Sequence, residues 1–322
     1  MSHLLSELSL TMQYATLNTG AKIPMVAMGC FMGKGADPGD PDMAGDAAKL
    51  ALEVGYRHFD TAALYQNEAL VGQILRESGV PREEFFVTTK FWNDRHHDVE
   101  KAFFESLERF NLGYIDLFLM HWPISSKSGN DFEKDDTTNY IETWKKMEQL
   151  ITDHPDKVKA IGVSNFSVKT LSDLLKHAKI VPAVNEVETH PYNQEQELVD
   201  LCKKHGIVVE AYCPLGQAGS PILKDEDILA VAKEANATAG QVILSWNVQR
   251  GVVVLPKSTH KERLAQNIST VKLTDAQMER IRRISEDPSR HCRFCAVYDP
   301  NTKTVLSWTY EELGWEKPAN IE

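Results

Sequence analysis

Four side chains with acid–base chemistry lie at or just after the ends of three apolar segments of this sequence: Asp60, Tyr65, Lys90 and His121. An ammonium group near a phenol stabilises the phenolate and lowers the pKa of the tyrosine, and an aspartate paired with the lysine keeps that lysine charged and fixed. Together with an imidazole, these groups predict proton transfer at a bound substrate, with Tyr65 as the general acid near neutral pH.

Each of the four residues also has a structural interpretation. A buried Asp–Lys pair such as Asp60 and Lys90 commonly belongs to an ion-pair network, which perturbs pKa values without any catalysis. A lone histidine such as His121 is often a hydrogen-bonded core residue. Four such groups at three strand ends favour a common site if the fold brings those ends together.

The segments that must position these groups repeat along the chain. Eight short runs are rich in β-branched and aromatic residues and lack polar alternation, which is typical of parallel strands buried on both faces: Val26–Phe31, Tyr56–Asp60, Phe85–Lys90, Ile115–Met120, Val158–Val163, Ala183–Val187, Ile207–Ala211 and Val252–Leu255. Helical periodicity lies between them, over Asp42–Glu53, Glu68–Glu77, Val99–Phe110, Tyr140–Ile151, Val168–His177, Glu195–His205, Asp225–Ala235 and Ala239–Gln249.

Eight strand–helix repeats predict a single α/β domain, a (β/α)₈ TIM barrel whose active site lies at the carboxyl ends of the strands. The doubly wound dinucleotide fold is the alternative, but no G-x-G-x-x-G follows an early strand. Gly55, Gly79, Gly113 and Gly206 follow helical patterns, where left-handed caps are needed. Residues 14–25 predict an N-terminal β-hairpin, so we expect a lead-in at 1–13 and a barrel over 14–322 that carries a C-terminal substrate loop.

Charge and composition exclude several functions. The chain has 35 basic and 46 acidic residues, and 35 − 46 gives a net charge of −11, which repels nucleic acid and anionic lipid. No apolar run approaches the roughly 18 residues of a membrane span, and the N-terminus lacks the pattern of a secretory signal. Five cysteines favour a reducing compartment. We therefore expect a cytoplasmic protein without a nucleic-acid partner, membrane contact or metal site.

One short segment opposes the overall charge. Residues 256–263 contain Lys257, Lys261 and Arg263 against Glu262, a local charge of +2 directly after the last predicted strand. Barrels commonly bind phosphate in the loops near their final strands, and arginine can bind two phosphate oxygens at once. The alternative is an ordinary solvated helix start.

The motifs around these residues resemble those of the aldo-keto reductases. The segment Gly55–Glu68 (GYRHFDTAALYQNE) looks like a signature of that family, and further blocks follow in the family's order at Thr88–Lys90, Leu119–Pro123, Gly162–Phe166, His190–Pro191, Tyr212–Gly216 and Leu255–Ser258. The similarity runs from about Leu17 to Asn267. It implies an NAD(P)H-dependent carbonyl reductase in which Tyr65 donates the proton, Lys90 and Asp60 tune it, and His121 orients the carbonyl.

The same resemblance implies the cofactor contacts. Ser164 and Asn165 would hold the nicotinamide carboxamide, Tyr212 would stack on the nicotinamide, and the adenosine 2′-phosphate would lie at Lys257 and Arg263, which favours NADPH over NADH. The full set of implied cofactor positions is Ser164, Asn165, Glu186, Tyr212, Leu215, Lys257, Ser258, Arg263 and Asn267.

Two cofactor positions depart from the family pattern. Gln266 stands where many relatives have Glu, next to the position expected to contact the adenine, and Glu186 stands where Gln is usual. A carboxylate accepts from the carboxamide N–H₂ but cannot donate. We hypothesise that an ionised Glu186 favours the cationic, oxidised nicotinamide by Coulomb attraction.

The substrate pocket is expected to use the aromatic residues Phe31, Trp92, Trp122 and Phe294, which suit apolar or modestly polar aldehydes and ketones. Arg290 or Arg293 would bind a carboxylate or polyol if the substrate were a uronate or a sugar. Two further motifs are interpreted as uninvolved. Cys292-x-x-Cys295 predicts free thiols, because a lone pair is a weak zinc signal, and His96–His97 predicts a solvated charged loop.

Two other functions remain open at this stage. A non-catalytic NADPH-binding barrel acting as a regulatory subunit would share the fold, although the intact set of four reactive residues disfavours it. A pyridoxal-phosphate barrel would use Lys90 as its Schiff base. We expect a small-molecule carbonyl substrate and either a monomer or a homodimer.

Overall fold

The computed structural model describes residues 12–33, 39–217, 219–296 and 298–317. Of the predicted lead-in, residues 1–11 lie outside the described residues. The predicted hairpin is confirmed: strands Tyr14–Thr16 and Lys22–Pro24 pair antiparallel. It lies beside residues that directly precede barrel strands, such as Arg57 and Phe85. The hairpin therefore borders the end of the barrel at which the strands begin, opposite their carboxyl ends.

Eight parallel strands form the barrel, in chain order around the sheet. They are β1 (Met28–Gly29), β2 (His58–Asp60), β3 (Phe86–Phe91), β4 (Leu117–Met120), β5 (Ile161–Ser164), β6 (Val184–Glu188), β7 (Val208–Tyr212) and β8 (Val253–Leu255). A parallel bridge between Val26 and Val254 brings the first strand against the last. The eight predicted strands and the barrel are therefore confirmed.

The first and last strands meet at a position that requires glycine. A Cβ on Gly29 would stand 2.8 Å from the carbonyl oxygen of Leu255, closer than carbon and oxygen can pack. With hydrogen in its place, the Gly29 N–H donates to the Pro256 carbonyl at 3.1 Å. This contact fixes the start of the 256–263 loop next to the strand that leads to Phe31.

Eleven helices surround or extend the described part of the barrel: α1 (Pro41–Glu53), α2 (Glu68–Glu77), α3 (Val99–Phe110), α4 (Tyr140–Asp153), α5 (Val168–Leu175), α6 (Gln196–Lys204), α7 (Glu226–Glu234), α8 (Ala239–Gln249), α9 (Lys261–Ile268), α10 (Asp275–Arg282) and α11 (Tyr310–Leu313). The first eight match the predicted helices within a few residues. The last three were not predicted.

Capping residues set several helix ends. Ser167 and Thr238 begin α5 and α8 with reciprocal capping boxes. All four predicted glycines have positive φ. The left-handed cap of α3 itself is Asn111 at φ 51°, two residues before Gly113, because asparagine tolerates this conformation nearly as well as glycine. None of the helices in the described ranges combines the length and apolar character that a membrane crossing requires.

Candidate active site

The structure brings Asp60 and Lys90 together inside the barrel, at the ends of β2 and β3. Lys90 Nζ lies 2.6 Å from Asp60 Oδ1 and donates to the Thr61 carbonyl at 3.0 Å. Burial lowers the pKa of Lys90, but the carboxyl groups of Asp60 and Glu186 outweigh burial and hold that pKa well above its usual value. Lys90 is therefore a fixed cation, and its charged state is unsuited to Schiff-base formation.

Tyr65 lies on a single 3₁₀ turn, Ala63–Tyr65, that follows β2. Its ring centre is 4.8 Å from that of Phe31 and 5.5 Å from Lys90 Nζ. Burial raises the pKa of the phenol above its usual value; Lys90 opposes this, while Asp60 and Glu186 add to it. The expectation that Lys90 lowers this pKa overall is wrong, because the loss of hydration in the barrel exceeds the attraction of one shared ammonium group. Tyr65 is a protonated phenol, as a proton donor requires.

His121 completes the reactive group at the end of β4. Its ring centre is 5.8 Å from that of Tyr65 and 4.9 Å from that of Trp92, with both contacts edge to face. Burial, followed by the charge of Lys90, holds the pKa of His121 well below its usual value, so the imidazole is neutral. Within the described ranges its buried Nδ1 has no hydrogen-bond partner. A carbonyl oxygen between Tyr65 and His121 would meet two uncharged side chains able to donate.

Two residues that the sequence analysis did not single out fix the Tyr65 turn. Thr61 Oγ1 donates to Asn67 Oδ1 at 2.5 Å, and Asn67 Nδ2 donates to the Cys30 carbonyl at 2.8 Å. Between them Gln66 takes a left-handed conformation at φ 56°. Asn67 lies within the segment Gly55–Glu68, but its contact with β1 depends on the closed barrel and had no signal in the spacing.

The predicted nicotinamide contacts form one hydrogen-bonded chain. Tyr212 OH donates to Asn165 Oδ1 at 2.7 Å, and Asn165 Nδ2 donates to the His121 carbonyl at 2.9 Å. The Ser164 hydroxyl donates to the Glu186 carbonyl at 2.8 Å. Strands β4, β5, β6 and β7 therefore present these polar groups side by side at the barrel mouth, next to His121.

The predicted phosphate contacts lie at the start of α9. Lys257 Nζ donates to the Phe31 carbonyl at 3.0 Å and lies 5.4 Å from the centre of the Phe31 ring. Arg263 is exposed and makes no ion pair with any described residue, whereas Lys261 is paired with Glu53 at 2.6 Å. Neither Lys257 nor Arg263 forms an ion pair with a described residue, so both positive charges are available to a phosphate group.

These residues fit a phosphorylated dinucleotide. Ser258 and Asn267 are buried beside the two free cations and supply hydroxyl and amide groups. Leu215 is a partly buried apolar side chain on the loop after β7, and both Leu215 and Asn267 lie near Gly240, in the first turn of α8. Phe31 connects the two halves of the site, since its ring contacts Tyr65 and its carbonyl binds Lys257.

Glu186 differs most from its expected position. Its Oε2 lies 3.1 Å from Lys90 Nζ, so the carboxyl group belongs to the cluster around the lysine and does not point freely at a carboxamide. Burial, with the nearby charge of Asp60, raises the pKa of Glu186 to about 8. On the neighbouring strand, Glu210 is directly opposite Glu186 and fully buried. Sequence reasoning missed both this contact and Glu210.

The four predicted substrate residues lie in different surroundings. Phe31 and Trp92 contact the rings of Tyr65 and His121, so they border the reactive groups. Trp122 is buried against Trp315, in an apolar cluster formed with the C-terminal segment. Phe294 packs on His190 instead, with ring centres 4.8 Å apart. The indole N–H of Trp92 donates to Asp131 at 2.6 Å, which fixes the orientation of the ring.

The two candidate arginines are occupied by acidic residues. Arg290 lies within 3.2 Å of Asp225 and 3.0 Å of Asp227. Arg293 is 3% exposed, pairs with Glu195 and stacks on Trp315 at 4.1 Å. Neither guanidinium is free to bind a substrate carboxylate.

One of the two adjacent histidines was misplaced by the sequence analysis. His96 is fully buried, and its Nδ1 lies 2.9 Å from Thr143 Oγ1 on α4. Burial lowers its pKa to about 3, so it is a neutral core residue. His97 is half exposed beside Asp135, as predicted for a charged loop. Because charged residues surround the two histidines in the sequence, the local pattern did not indicate that the ring of His96 is buried.

Glu188 attaches the C-terminal segment to the barrel. Its two carboxylate oxygens accept the backbone N–H groups of Phe294 at 2.5 Å and Cys295 at 3.1 Å, and His190 Nε2 lies 3.0 Å away. All five cysteines are free thiols in the structure, and the sulfur of Cys295 lies within 4.8 Å of that of Cys213. The C-terminal segment around residues 294 and 295 is therefore bound through its main chain to the carboxyl end of β6.

Similarity to known proteins extends over most of the chain. Residues 26–286 match a model of the "Aldo/keto reductase family". A glycerol 2-dehydrogenase (NADP(+)) from Saccharomyces cerevisiae is 44% identical over 290 residues, which covers 84% of this chain and 90% of that protein. An aldehyde reductase of the same yeast is 42% identical over 289 residues, with coverage of 84% and 90%.

A solved structure agrees with the fold described above. The crystal structure of a Bombyx mori aldo-keto reductase in complex with NADP has a TM-score of 0.82 and 36% identity, and the similarity covers 94% of this chain and 99% of that chain. The eight-stranded barrel is therefore shared with an enzyme crystallised with its dinucleotide.

Proposed function

Because this chain belongs to the aldo-keto reductase family, we propose that it reduces an aldehyde or ketone to the alcohol with NADPH. The observation that carries the proposal is the buried group at the barrel mouth, in which the protonated phenol of Tyr65 and the neutral imidazole of His121 face one another beside the Lys90–Asp60 pair. Bound NADPH would supply the hydride for the carbonyl carbon.

The chain's own residues manage the proton and the developing charge. The Tyr65 hydroxyl transfers its proton to the carbonyl oxygen as the carbon accepts the hydride, and the phenolate that remains is stabilised by Lys90. His121 donates a hydrogen bond to the same oxygen and fixes its direction. Asp60 holds the ammonium group in place at 2.6 Å. Phe31 and Trp92 cover the reacting atoms and exclude water.

Cofactor choice follows from the residues around α9. Lys257 and Arg263 are the cations that would bind the adenosine 2′-phosphate, and Asn267 would contact the adenine. Ser164, Asn165 and Tyr212 would hold the nicotinamide. NADH, which lacks the 2′-phosphate, would bind more weakly because neither cation then gains a partner.

The substrate is a small or aromatic carbonyl compound in this proposal. The aromatic side chains of Phe31, Trp92 and Trp122 support this class, and the yeast relative named for glycerol supports small polyol-type compounds. Ion pairing of Arg290 and Arg293 argues against a uronate held by either residue. We further propose a cytoplasmic protein, on its cysteine content, and a monomer or homodimer.

The test is NADPH oxidation with a panel of aldehydes, ketones, sugars and uronates, run for the wild type and for Tyr65→Phe. We expect the variant to bind NADPH normally and to lose at least about 100-fold in kcat, in line with the loss of a general acid. Tyr140→Phe is the matched control, because that hydroxyl contacts only Asp173 among the described residues.

Two outcomes would count against the proposal. Wild-type turnover by Tyr65→Phe on every active substrate would remove the phenol from the mechanism. NADPH binding without turnover on any carbonyl compound would favour the regulatory-subunit alternative.

A further inference from the structure

The barrel interior contains buried carboxyl groups to which the proposed reaction gives no role. Glu186 on β6 and Glu210 on β7 are directly paired in register, and both side chains are buried. Asp60 on β2 is a third buried carboxyl group near them, and Lys90 on β3 is the cation that they share. Like charges directly opposite each other on paired strands are destabilising, so this arrangement needs a compensating feature.

Lys90 donates hydrogen bonds to Asp60 at 2.6 Å and to the Thr61 carbonyl at 3.0 Å, and neither partner is the phenol. Its Nζ also forms an ion pair with Glu186 Oε2 at 3.1 Å. Lys90 Nζ lies 5.5 Å from the centre of the Tyr65 ring. Glu186 is therefore an acidic partner of Lys90 on the strand β6, closer to the ammonium group than the Tyr65 ring is.

The cluster also has too few cations for its acids. Lys90 carries one positive charge against Asp60, Glu186 and Glu210. His58 Nε2 is 3.6 Å from Glu210 Oε1, but the ring bonds Pro24 and Thr88 instead, and burial lowers its pKa to about 3. The oxygens of Glu210 have no hydrogen-bond partner among the described residues.

One carboxyl group of this cluster changes its charge in the mildly alkaline range. Burial, and then the charge of Glu186, raise the pKa of Glu210 well above its usual value. The pKa of Glu186 is raised only to about 8, chiefly by burial. Lys90 therefore faces one more negative charge above about pH 8 than below it.

We propose that Glu186 is a positioning residue of the reaction: its ionised carboxylate holds Lys90 and its charge away from Tyr65, so that the phenol keeps its proton to higher pH. The proposal rests on the carbonyl-reductase function proposed above. The charged and titratable groups around Glu186 are Asp60 and Tyr65 from β2 and its following turn, Lys90 from β3 and Glu210 from β7.

The direction of the effect follows from the proton balance. Carbonyl reduction consumes the Tyr65 proton and needs the phenol, whereas alcohol oxidation needs the phenolate to accept that proton. A negative charge at Glu186 disfavours the phenolate. It therefore extends reduction to higher pH and moves the onset of alcohol oxidation to higher pH by the same amount.

The experiment compares Glu186→Gln with the wild type in both reaction directions, over pH 6 to 10.5, with saturating NADPH or NADP⁺ and the most active carbonyl–alcohol pair. We expect the alkaline fall of reduction and the alkaline rise of oxidation to move together to lower pH by about one unit, a tenfold change in the phenol–phenolate ratio at fixed pH. Below about pH 7 both enzymes should behave alike, because Glu186 is then uncharged.

Glu210→Gln is the matched control, since it replaces an equally buried acid on the adjacent strand that forms no ion pair with Lys90 among the described residues. Its two profiles should keep the wild-type midpoints. A uniform loss of activity at every pH in Glu186→Gln, with unshifted midpoints, would mean a structural role only and would overturn the proposal. If no carbonyl is reduced even by the wild type, the proposed function fails instead, so the two failures are distinguishable.

Discussion

The two groups of cations at the barrel mouth differ in their surroundings and in what holds them. Lys90 is fully buried, donates hydrogen bonds to Asp60 and the Thr61 carbonyl, and forms an ion pair with Glu186. Lys257 and Arg263 are exposed, and Arg263 has no ion-pair partner in the described part of the chain. The partners of Lys90 are therefore part of the protein. For Lys257 and Arg263, the proposed anionic partner is the phosphate of a ligand that binds from solution.

In the proposed function, this difference separates the residue that acts on the reaction from the residues that select the cofactor. A buried charge whose partners are fixed acts on the reacting atoms without reorganisation, but removing it leaves other buried charges unpaired. An exposed cation contributes little to folding, and its whole effect is on ligand affinity. Four predictions test how far the separation holds.

The largest expected effect is on stability, in Lys90→Met. This change leaves Asp60 and Glu186 without their cation in the barrel interior, so we expect a loss of about 3–5 kcal/mol in the free energy of unfolding, together with loss of turnover. Lys257→Met, at the exposed site, should change stability by no more than about 0.5 kcal/mol. Urea denaturation measures the free energy of unfolding of both variants. Equal losses of stability in Lys90→Met and Lys257→Met would contradict the distinction between the buried and the exposed cations.

A smaller effect is expected on cofactor affinity, in Arg263→Ala. Loss of a charged hydrogen bond to phosphate, worth about 1.5 kcal/mol or more, should raise the KM for NADPH about tenfold and leave kcat and the KM for NADH unchanged. Lys261→Ala is the control, because this lysine is paired with Glu53. An equal rise for NADPH and NADH in Arg263→Ala would place the 2′-phosphate elsewhere.

The third prediction concerns the pH dependence of stability. The pKa of Glu186 is about 8 in the folded chain against an ordinary value of 4.5, so between these values the folded state keeps a proton that the unfolded state has lost. Stability should therefore fall as pH rises through this window, by at most about 1.4 kcal/mol per pH unit from this group. Urea titrations of Glu186→Gln between pH 5 and 8 should give a shallower decline. The exposed Glu197→Gln should follow the wild type.

The smallest effect tests the charge of Glu186 against the bound nicotinamide. If its carboxylate favours the oxidised ring, Glu186→Gln should weaken NADP⁺ relative to NADPH by about threefold at pH 9, consistent with a Coulomb energy of about 1 kcal/mol or less. At pH 6.5, where the group is protonated, the ratio should not change. Fluorescence titration gives both dissociation constants, and an unchanged ratio at pH 9 would end this hypothesis.

The barrel and the reactive residues could be predicted because both depend on patterns that are local in the sequence. Buried parallel strands need continuous β-branched and aromatic runs, and the residue that ends each run is placed at the mouth by the topology. Asp60, Lys90 and His121 all follow from that rule. The Tyr65 turn lies close enough to β2 to be included with them.

The pKa of Tyr65 and the contacts of Glu186 could not be predicted in the same way. The sign of the Tyr65 shift depends on the balance between burial and three charges, which only the packed barrel determines. Glu186 reaches Lys90 from a strand 96 positions later in the chain. Arg293, likewise, could not be recognised from the sequence as unavailable to a substrate, because its partners Glu195 and Trp315 lie on other segments of the chain.

The way in which Glu188 holds the C-terminal segment bears on how such enzymes diversify. The carboxylate accepts main-chain N–H groups of Phe294 and Cys295, so the attachment does not depend on which side chains the segment carries. Glu186, on the same strand, forms an ion pair with Lys90. One strand thus carries both a carboxylate paired with the buried lysine and a carboxylate that binds the main chain of the C-terminal segment. Segments with other side chains could therefore be exchanged without loss of this attachment or of the buried ion pair.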